Sequence, residues 1–208
     1  MDGSFAAGEA ALVAGRAAQG GLSLLLAHRI ASAAALGADH RHDEGRHQHV
    51  ACLAASSPAG DVFCDQGAFT PEQTEAILRA GIAHGMLPRI HANQLSAGKG
   101  VEIAVSLGAA SADHLSKSTT ADIELLASSE TVATLLPGAE FSTHLESNLG
   151  RNFLDAGATV AIASDCNPGS SYTTSMPFCI AAAVSLLGFT VEEAVRAATF
   201  GGAKALLR

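Results

Sequence analysis

The sequence has no tryptophan and a single tyrosine, and only 15% of its 208 residues are charged. Basic residues are especially scarce, since 12 Lys and Arg stand against 20 Asp and Glu, for a net charge of -8. No basic cluster interleaved with aromatic residues occurs. Proteins that bind nucleic acid or anionic membranes usually carry such clusters. We therefore expect neither nucleic acid nor a membrane as a partner.

Cysteine motifs and long hydrophobic runs are also missing. The four cysteines show no Cys-x-x-Cys spacing, and the N-terminus does not read as a secretory signal, which predicts a reducing, cytoplasmic location. No apolar run approaches the ~20 residues of a transmembrane helix. The stretch "GLSLLLAHRIASAAALGA" is interrupted by His28 and Arg29, and we interpret it as a core segment.

The chain has enough apolar residues, 48% of 208, to bury the core of one domain. After residues 1–59, short apolar runs alternate with longer amphipathic stretches. This alternation predicts repeated β-α units, and hence an α/β fold with a parallel sheet or barrel and right-handed connections. The predicted strands are 61–64, 87–92, 110–115, 131–138 and 158–165.

Two of the predicted helices have clear start signals. In "TPEQTEAILRAGIAHG", Thr70 is the expected N-cap, Pro71 the first helical residue and Glu72 a first-turn acid, with Gly85 near the end. The stretch "TVEEAVRAATFGGAKALL" repeats this pattern from Thr190.

The N-terminal part, residues 1–59, is weakly specified and is separated here from the β-α region at 60–208. Ala, Gly and Ser dominate it, and "LSLLLAH" is one further strand candidate. Its charged insert "HRHDEGRHQH" contains two His-x-His pairs, His40 with His42 and His47 with His49. Such pairs can bind metal, but they also occur in solvated polar inserts, which is the interpretation we favour.

Polar residues that look misplaced in apolar runs lie at the predicted strand ends: His91, Gln94, His114 and Asp165. In a β/α barrel, the carboxyl ends of the strands form the active-site face. A carboxylate beside a buried strand is costly unless its charge is paired, and imidazoles with a carboxylate suit Zn²⁺ or Fe²⁺. A single strand-end histidine is more often structural, but several such residues on successive strands favour a metal site.

Two other groups near this face have ordinary structural interpretations. Asn167, Gly169 and Ser170 belong to an Asn-Pro-Gly turn, which is favoured for backbone reasons alone, so turn chemistry and function remain open alternatives. Cys64 and Cys166 border the same face, but the sequence shows no adjacent base to activate a thiolate. We expect both cysteines to be packing residues.

Six stretches of residues 61–208 resemble, in order, the imidazolonepropionase family of the amidohydrolase superfamily, in the form found in high-GC Gram-positive bacteria. They are "DVFCDQGAF", "RIHANQLS", "GAASADHL", "TVATLLPGAEFST", "FLDAGATVAIASDCNPGSS" and "SMPFCIAAAV". The resemblance implies part of a distorted (β/α)₈ barrel of the TIM type, in which the predicted strands are strands four to eight. His91 would then end strand five, His114 strand six and Asp165 strand eight.

The resemblance also implies metal-dependent hydrolysis of a small cyclic amide in histidine degradation. His91 and Asp165 would be ligands of a single Zn²⁺ or iron ion (Fe²⁺ or Fe³⁺) per chain. His114 would lie beside the activated water or the scissile carbonyl, and Asp165 would also transfer the proton.

Substrate contacts are implied for a second group of residues. Gln94 would contact the imidazolone ring, and the turn residues Asn167, Gly169 and Ser170 would hold the substrate or the carboxylate end of the product. His28 is a weaker candidate for the family's substrate histidine near the end of strand three, because the residues around it agree poorly.

The chain departs from the family pattern in its first half. The family's substrate arginine and tyrosine and its flanking β-sandwich strands are not recognisable. The His-x-His at the end of strand one is not matched by His47 and His49, because they lie too close to His91 in sequence. The expectation is a truncated form of doubtful activity. The alternatives are another cyclic-amide hydrolase or deaminase, a non-catalytic fragment that associates with itself as a homo-oligomer, or a His-rich metal-binding protein.

Overall fold

Five short parallel strands form one sheet whose strand order follows the order of the chain, β1-β2-β3-β4-β5. The computed structural model describes residues 59–145 and 149–208. The strands are β1 Ala59–Cys64, β2 Leu87–Ala92, β3 Ser111–His114, β4 Val132–Leu135 and β5 Val160–Ile162. Each lies within or overlaps a predicted strand, which confirms the α/β prediction.

The predicted ends of two strands were wrong. The fifth strand was expected to run to Asp165, yet β5 ends at Ile162. Asp165 has φ 49°, in the left-handed region, which is incompatible with a strand and turns the chain away from the sheet. Likewise β4 ends at Leu135 rather than at Gly138, because Pro137 begins the next helix.

Helices connect and cover the strands. They are α1 Pro71–Ala83, α2 Gly100–Ser106, α3 Thr120–Ala127, α4 Pro137–Thr143, α5 Gly150–Asp155, α6 Met176–Leu187, α7 Val191–Arg196 and α8 Gly202–Ala205. Between α7 and α8 the helix widens into a π-helical segment, Ala197–Gly201, which periodicity did not predict.

The predicted helix starts are confirmed at both sites. Thr70 accepts a hydrogen bond from the backbone N–H of Gln73, whose side chain bonds back to Thr70 as a capping box. Thr190 and Glu193 form the same reciprocal pair at the start of α7. Each box satisfies amide groups that a helix N-terminus would otherwise leave unpaired.

The two faces of the sheet differ in character. Val62, Ile90, Ala112 and Ala133 face one another in register across four strands and are buried in the apolar core. The next row of residues in register across the same four strands is Phe63, His91, Asp113 and Thr134. Because successive strand residues point to opposite faces, this polar row lies on the other side, which is the interior side of a barrel.

The C-terminal segment closes part of that interior. Arg89 donates to the Oγ of Ser111 at 3.1 Å and to the carbonyl oxygen of Ala205. Val132, Ala161 and Ala205 form a small apolar cluster beside this contact. The segment approaches β5 so closely that only glycine fits at position 201.

No helix in the described ranges is long and apolar enough to cross a membrane. The predictions made for residues 1–58, including the strand candidate, His28 and the His-x-His pairs, lie outside the described residues. The division between residues 59 and 60 stays a prediction.

Candidate active site

Three polar side chains from three strand ends meet on one face of the sheet. His91 lies near the end of β2, His114 ends β3, and Asp165 follows β5. The rings of His91 and His114 have centroids 5.1 Å apart, and His114 Nε2 is 3.8 Å from Asp165 Oδ2. All three residues are buried. The structure thus brings together the residues selected from the sequence, while their chemical roles stay predictions.

The backbone of this face is strained at several positions. Asn93, His114, Leu115 and Asp165 all have positive φ, between 49° and 75°. Side-chain-bearing residues in this region cost on the order of 1–3 kcal/mol each, and such residues concentrate at functional sites. Their grouping around His91, His114 and Asp165 supports a site at this face.

Two carboxylates lie close to His91. Asp61 Oδ1 is 3.0 Å from His91 Nδ1, and Asp113 faces His91 in register on β3. One potential ligand atom from each of the three residues lies within 4.8 Å of the others. Asp61 and Asp113 were not predicted, although a lone aspartate within each of the runs "DVFC" and "SADH" was an available signal.

The turn after β5 is organised by Asn167. Its Nδ2 donates to the carbonyl oxygen of Asp165 at 2.7 Å and to Asp165 Oδ1 at 3.0 Å. Its Oδ1 accepts from the backbone N–H groups of Gly169 and Ser170 at 2.8 and 2.7 Å. Asn167 therefore forms the turn, as one of the two alternatives proposed, and it also holds the Asp165 carboxylate. Substrate contacts of these residues stay predictions.

The loop that carries Gln94 is held by Asp65. The Asp65 carboxylate accepts from the backbone N–H groups of Gln94, Leu95 and Ser96, at 2.8 to 3.1 Å, and from the Ser96 hydroxyl at 2.7 Å. Gln94 itself is buried. Asp65, which was not predicted, directly follows β1 and connects the loop after β1 to the loop after β2.

A buried carboxylate joins helix α4 to the loop after β3. Glu140 in α4 accepts from the Ser116 hydroxyl at 2.9 Å, and Glu140 is only 4% exposed. Nearby, Asn93 donates to Asp122 at 3.2 Å. These contacts fix the loop after β3, which contains Ser116, and the loop after β2, which contains Asn93. Neither contact was predicted.

Of the two cysteines expected to be packing residues, Cys64 is buried as expected, and the packing role of Cys166 stays a prediction. Cys64 and Cys179 are buried, and this burial raises the pKa of both thiols. A raised pKa lowers the thiolate fraction, which a nucleophile requires. Cys166 is half-buried, and no disulfide joins the cysteines of the described ranges.

Comparison with known proteins gives a consistent result. The chain is 62% identical over 148 residues to an imidazolonepropionase of Nocardia farcinica, a match that covers 71% of this chain and 38% of that protein. It is 59% identical over 162 residues to an imidazolonepropionase of Mycolicibacterium smegmatis, covering 76% of this chain and 41% of that protein. The chain is homologous to part of imidazolonepropionase. No protein-family model matches it.

Solved structures agree on the fold. An adenosine deaminase from Xanthomonas campestris with bound zinc has a TM-score of 0.59 at 18% identity, over 78% of this chain and 43% of that one. An amidohydrolase from a Sargasso Sea sample has a TM-score of 0.56 at 19% identity, over 80% of this chain and 45% of that one. Enamidase has a TM-score of 0.54 at 12% identity, over 77% of this chain and 44% of that one. The described chain therefore has the fold of a partial amidohydrolase barrel.

These findings confirm both the imidazolonepropionase resemblance and the fold class predicted from the sequence. The chain spans only about two fifths of the length of the imidazolonepropionases it matches, 38% and 41% in the two cases above.

The donor atoms of the site suit a divalent cation. His91 and Asp165 offer an imidazole nitrogen and a carboxylate oxygen, which are ordinary ligands of zinc and iron. Both residues are buried, and each lies beside the buried His114. A second grouping, Asp61, His91 and Asp113, is chemically suitable as well, and the two groupings share His91.

Proposed function

We propose that this chain carries the strand-five to strand-eight side of a metal-dependent active site that hydrolyses 4-imidazolone-5-propanoate to N-formimidoyl-L-glutamate. The observation that supports this most directly is the meeting of His91, His114 and Asp165 at the strand ends. The homology to imidazolonepropionase supports the choice of substrate. Because the chain spans only part of those relatives, the complete reaction is a proposal for this chain.

His91 and Asp165 are the proposed ligands of a single zinc or iron ion. Asn167 donates to Oδ1 of Asp165 and fixes that carboxylate, while Asp61 fixes the ring of His91. When bound, such a cation polarises a carbonyl and makes water a nucleophile at neutral pH. The buried setting strengthens the electrostatic contribution of each group.

His114 and Asp165 are the proposed catalytic residues. Attack of water on the ring carbonyl forms a C–O bond, and the Asp165 carboxylate accepts the proton that the water releases. The ring C–N bond then breaks, and Asp165 returns this proton to the leaving nitrogen. His114, 3.8 Å from Asp165 Oδ2, orients the carbonyl and stabilises the negative charge on its oxygen.

Substrate binding is assigned to the loops around this centre. The backbone N–H of Gln94 is hydrogen-bonded to Asp65. This bond fixes the Gln94 backbone, from which the side chain would contact the ring of the substrate. Asn167, Gly169 and Ser170 lie in the turn beside Asp165, where they would meet the propanoate end. His28 is retained as a weak candidate only.

The partner and location predictions remain open. A homo-oligomer, a cytoplasmic location and the absence of nucleic-acid or membrane partners are all proposals. Within the described ranges, β5 is an outer strand of the sheet, and an outer strand can pair with a strand of a second chain. Light scattering coupled to size-exclusion chromatography tests this: a strictly monomeric chain would count against an oligomer.

Metal content and hydrolysis of the purified full chain test the proposed function. The metal-stripped protein is reloaded with Zn²⁺ or Fe²⁺, its bound metal is determined by elemental analysis, and loss of imidazolone absorbance is followed. Asp165→Asn should lose both metal and activity. Asp155→Asn, which alters an exposed carboxylate, should lose neither.

Three results distinguish the alternatives. Metal binding without hydrolysis of imidazolone propanoate, but with hydrolysis or deamination of another cyclic substrate, would favour a different amidohydrolase. Metal that persists in Asp165→Asn would remove that residue from the site. No metal in the native chain would support a non-catalytic fragment.

A further inference from the structure

Asp61, within β1, hydrogen-bonds the imidazole of His91 on the neighbouring strand. The contact joins Asp61 Oδ1 to His91 Nδ1 at 3.0 Å, between residues 30 positions apart in the chain. In the β1–β2 register, Asp61 is opposite Arg89, and Phe63 is opposite His91. The carboxylate therefore reaches diagonally along the sheet to the ring, and only the pairing of β1 with β2 produces this contact.

The contact favours one tautomer of His91 when Asp61 is ionised. An ionised carboxylate only accepts hydrogen bonds, so the proton of the bond must be on Nδ1. A neutral imidazole with its proton on Nδ1 carries the lone pair on Nε2. Metal-binding histidines usually donate their other N–H to a carboxylate or carbonyl, which fixes the ring and raises its basicity as a ligand. Asp61 and His91 have this arrangement.

The ring is also held by two aromatic contacts. Phe63 meets His91 edge-on, with centroids 5.7 Å apart and planes at 67°. His114 lies on another side, with centroids 5.1 Å apart. The His91 side chain is only 5% exposed, whereas that of Asp61 is 23% exposed. The buried ring thus has little room to rotate, and its hydrogen bond to Asp61 selects the nitrogen that remains a donor.

We propose that Asp61 is a positioning residue, which holds His91 in the Nδ1–H form and thereby presents Nε2 as the ligand atom. This inference rests on the proposed function, because the cation concerned is the one proposed there. Asp61 acts through His91 and does not itself contact the cation.

A direct role for Asp61 is the competing arrangement. Asp61, His91 and Asp113 have ligand atoms within 4.8 Å of one another, and Asp113 Oδ1 is buried without a hydrogen-bond partner among the described residues. In that arrangement both carboxylates bind the cation, and loss of Asp113 should weaken cation binding as much as loss of Asp61. In the positioning arrangement, loss of Asp61 should weaken cation binding more than loss of Asp113, because Asp61 Oδ1 hydrogen-bonds the His91 ring.

Three variants separate the two arrangements. Asp61→Ala removes both the charge and the hydrogen-bond acceptor, whereas Asp61→Asn removes the charge but keeps an amide oxygen that can accept from Nδ1–H. Asp113→Asn is the matched control, because it removes one charge beside the same ring and leaves the Asp61–His91 bond in place. Circular dichroism and thermal unfolding show whether each variant is folded. If Asp61→Ala does not fold, Asp61→Asn takes its place in the comparison.

Two readouts are compared on the full chain. Nitrogen-15 NMR of the histidine side chains, with His91 assigned through His91→Asn, reports the tautomer in metal-free protein. Competition with a chromogenic chelator reports the affinity for Zn²⁺. We expect the Nδ1–H form in the native chain and in Asp113→Asn, and its loss in Asp61→Ala. Affinity should fall 10- to 100-fold in Asp61→Ala, less in Asp61→Asn, and not measurably in Asp113→Asn.

Other results would overturn the proposal in identifiable ways. An unchanged His91 tautomer in Asp61→Ala would show that Asp61 does not set it. Equal loss of Zn²⁺ affinity in Asp113→Asn and Asp61→Ala would favour the direct Asp-His-Asp site. If the native chain binds no Zn²⁺, the proposed function fails, and the NMR result alone still decides whether Asp61 positions His91.

Discussion

His114 and Asp165 face each other across the strand ends, with His114 Nε2 3.8 Å from Asp165 Oδ2 and both side chains almost fully buried. Each residue also has a positive φ, 75° for His114 and 49° for Asp165. Two strained residues, one at the end of β3 and one in the turn after β5, therefore present a nitrogen and a carboxylate oxygen to the same space. This relationship explains why we assign chemistry to these residues rather than packing.

Substitution of His114 should separate metal binding from catalysis. Because His114 is proposed to lie beside the reacting carbonyl and not to bind the cation, His114→Gln should retain bound metal while hydrolysis falls ~10²- to 10⁴-fold. Elemental analysis and steady-state kinetics on the same preparation measure both. The exposed His84 provides the control, and His84→Gln should change neither quantity. Loss of metal in His114→Gln would instead make His114 a ligand.

Removal of the Asp65 carboxylate should loosen the loop that carries Gln94. Asp65→Ala leaves four backbone N–H groups, those of Gln66, Gln94, Leu95 and Ser96, and one hydroxyl without their acceptor, at a cost of about 1–3 kcal/mol in the free energy of unfolding. Hydrogen exchange at residues 94–96 should accelerate in this variant. In Asp155→Ala, which changes an exposed carboxylate, exchange there should be unchanged, and equal rates in the two variants would contradict the prediction.

Gly201 and Gly202 offer a matched pair in adjacent positions of one helix. A Cβ at Gly201 would lie 2.0 Å from the carbonyl oxygen of Val160, whereas a Cβ at Gly202 would meet nothing within 4 Å. Gly201→Ala should therefore destabilise the protein by ~1–3 kcal/mol or more. Gly202→Ala should stabilise it by up to ~1 kcal/mol, because alanine favours helix. Urea unfolding measures both, and equal midpoints would show that the C-terminal segment does not pack on β5.

The Arg151–Glu193 pair should make stability depend on pH. Arg151 donates to both Glu193 oxygens, at 2.8 and 3.0 Å, and these hydrogen bonds, with one from the Thr190 backbone, lower the pKa of Glu193 from 4.5 to about 2. A lowered pKa favours folding while the group is ionised. The stabilisation is therefore complete above pH 4.5 and is lost as the pH falls towards 2.

Glu193→Gln tests this dependence, because an amide keeps an acceptor for the Thr190 N–H but has no charge. The melting temperature of the native chain should exceed that of Glu193→Gln near neutral pH, and the difference should shrink between pH 4.5 and 2. Glu75→Gln, in the more exposed pair with Arg79, should show a smaller difference. A difference that persists unchanged at pH 2 would contradict the assignment.

Local features were predictable because their causes are local. Thr70 and Thr190 were identified as helix starts because an N-cap bonds an amide only three residues away. The strand β2 was predicted with its exact bounds, Leu87–Ala92, from a short apolar run. The end of β5 was missed because the left-handed conformation of Asp165 belongs to an aspartate and not to the glycine that usually marks such a turn.

The sequence by itself determined the α/β class, the order of strands and helices, and the selection of His91, His114 and Asp165, since periodicity and misplaced polar residues are properties of short segments. Only the tertiary structure decided that Asp61 bonds His91, that Asp65 holds the loop after β2, and that Asn167 holds Asp165. The first two contacts join residues about 30 positions apart, so they depend on strand register. The third depends on a backbone turn, which the residue types alone left open between turn formation and substrate binding.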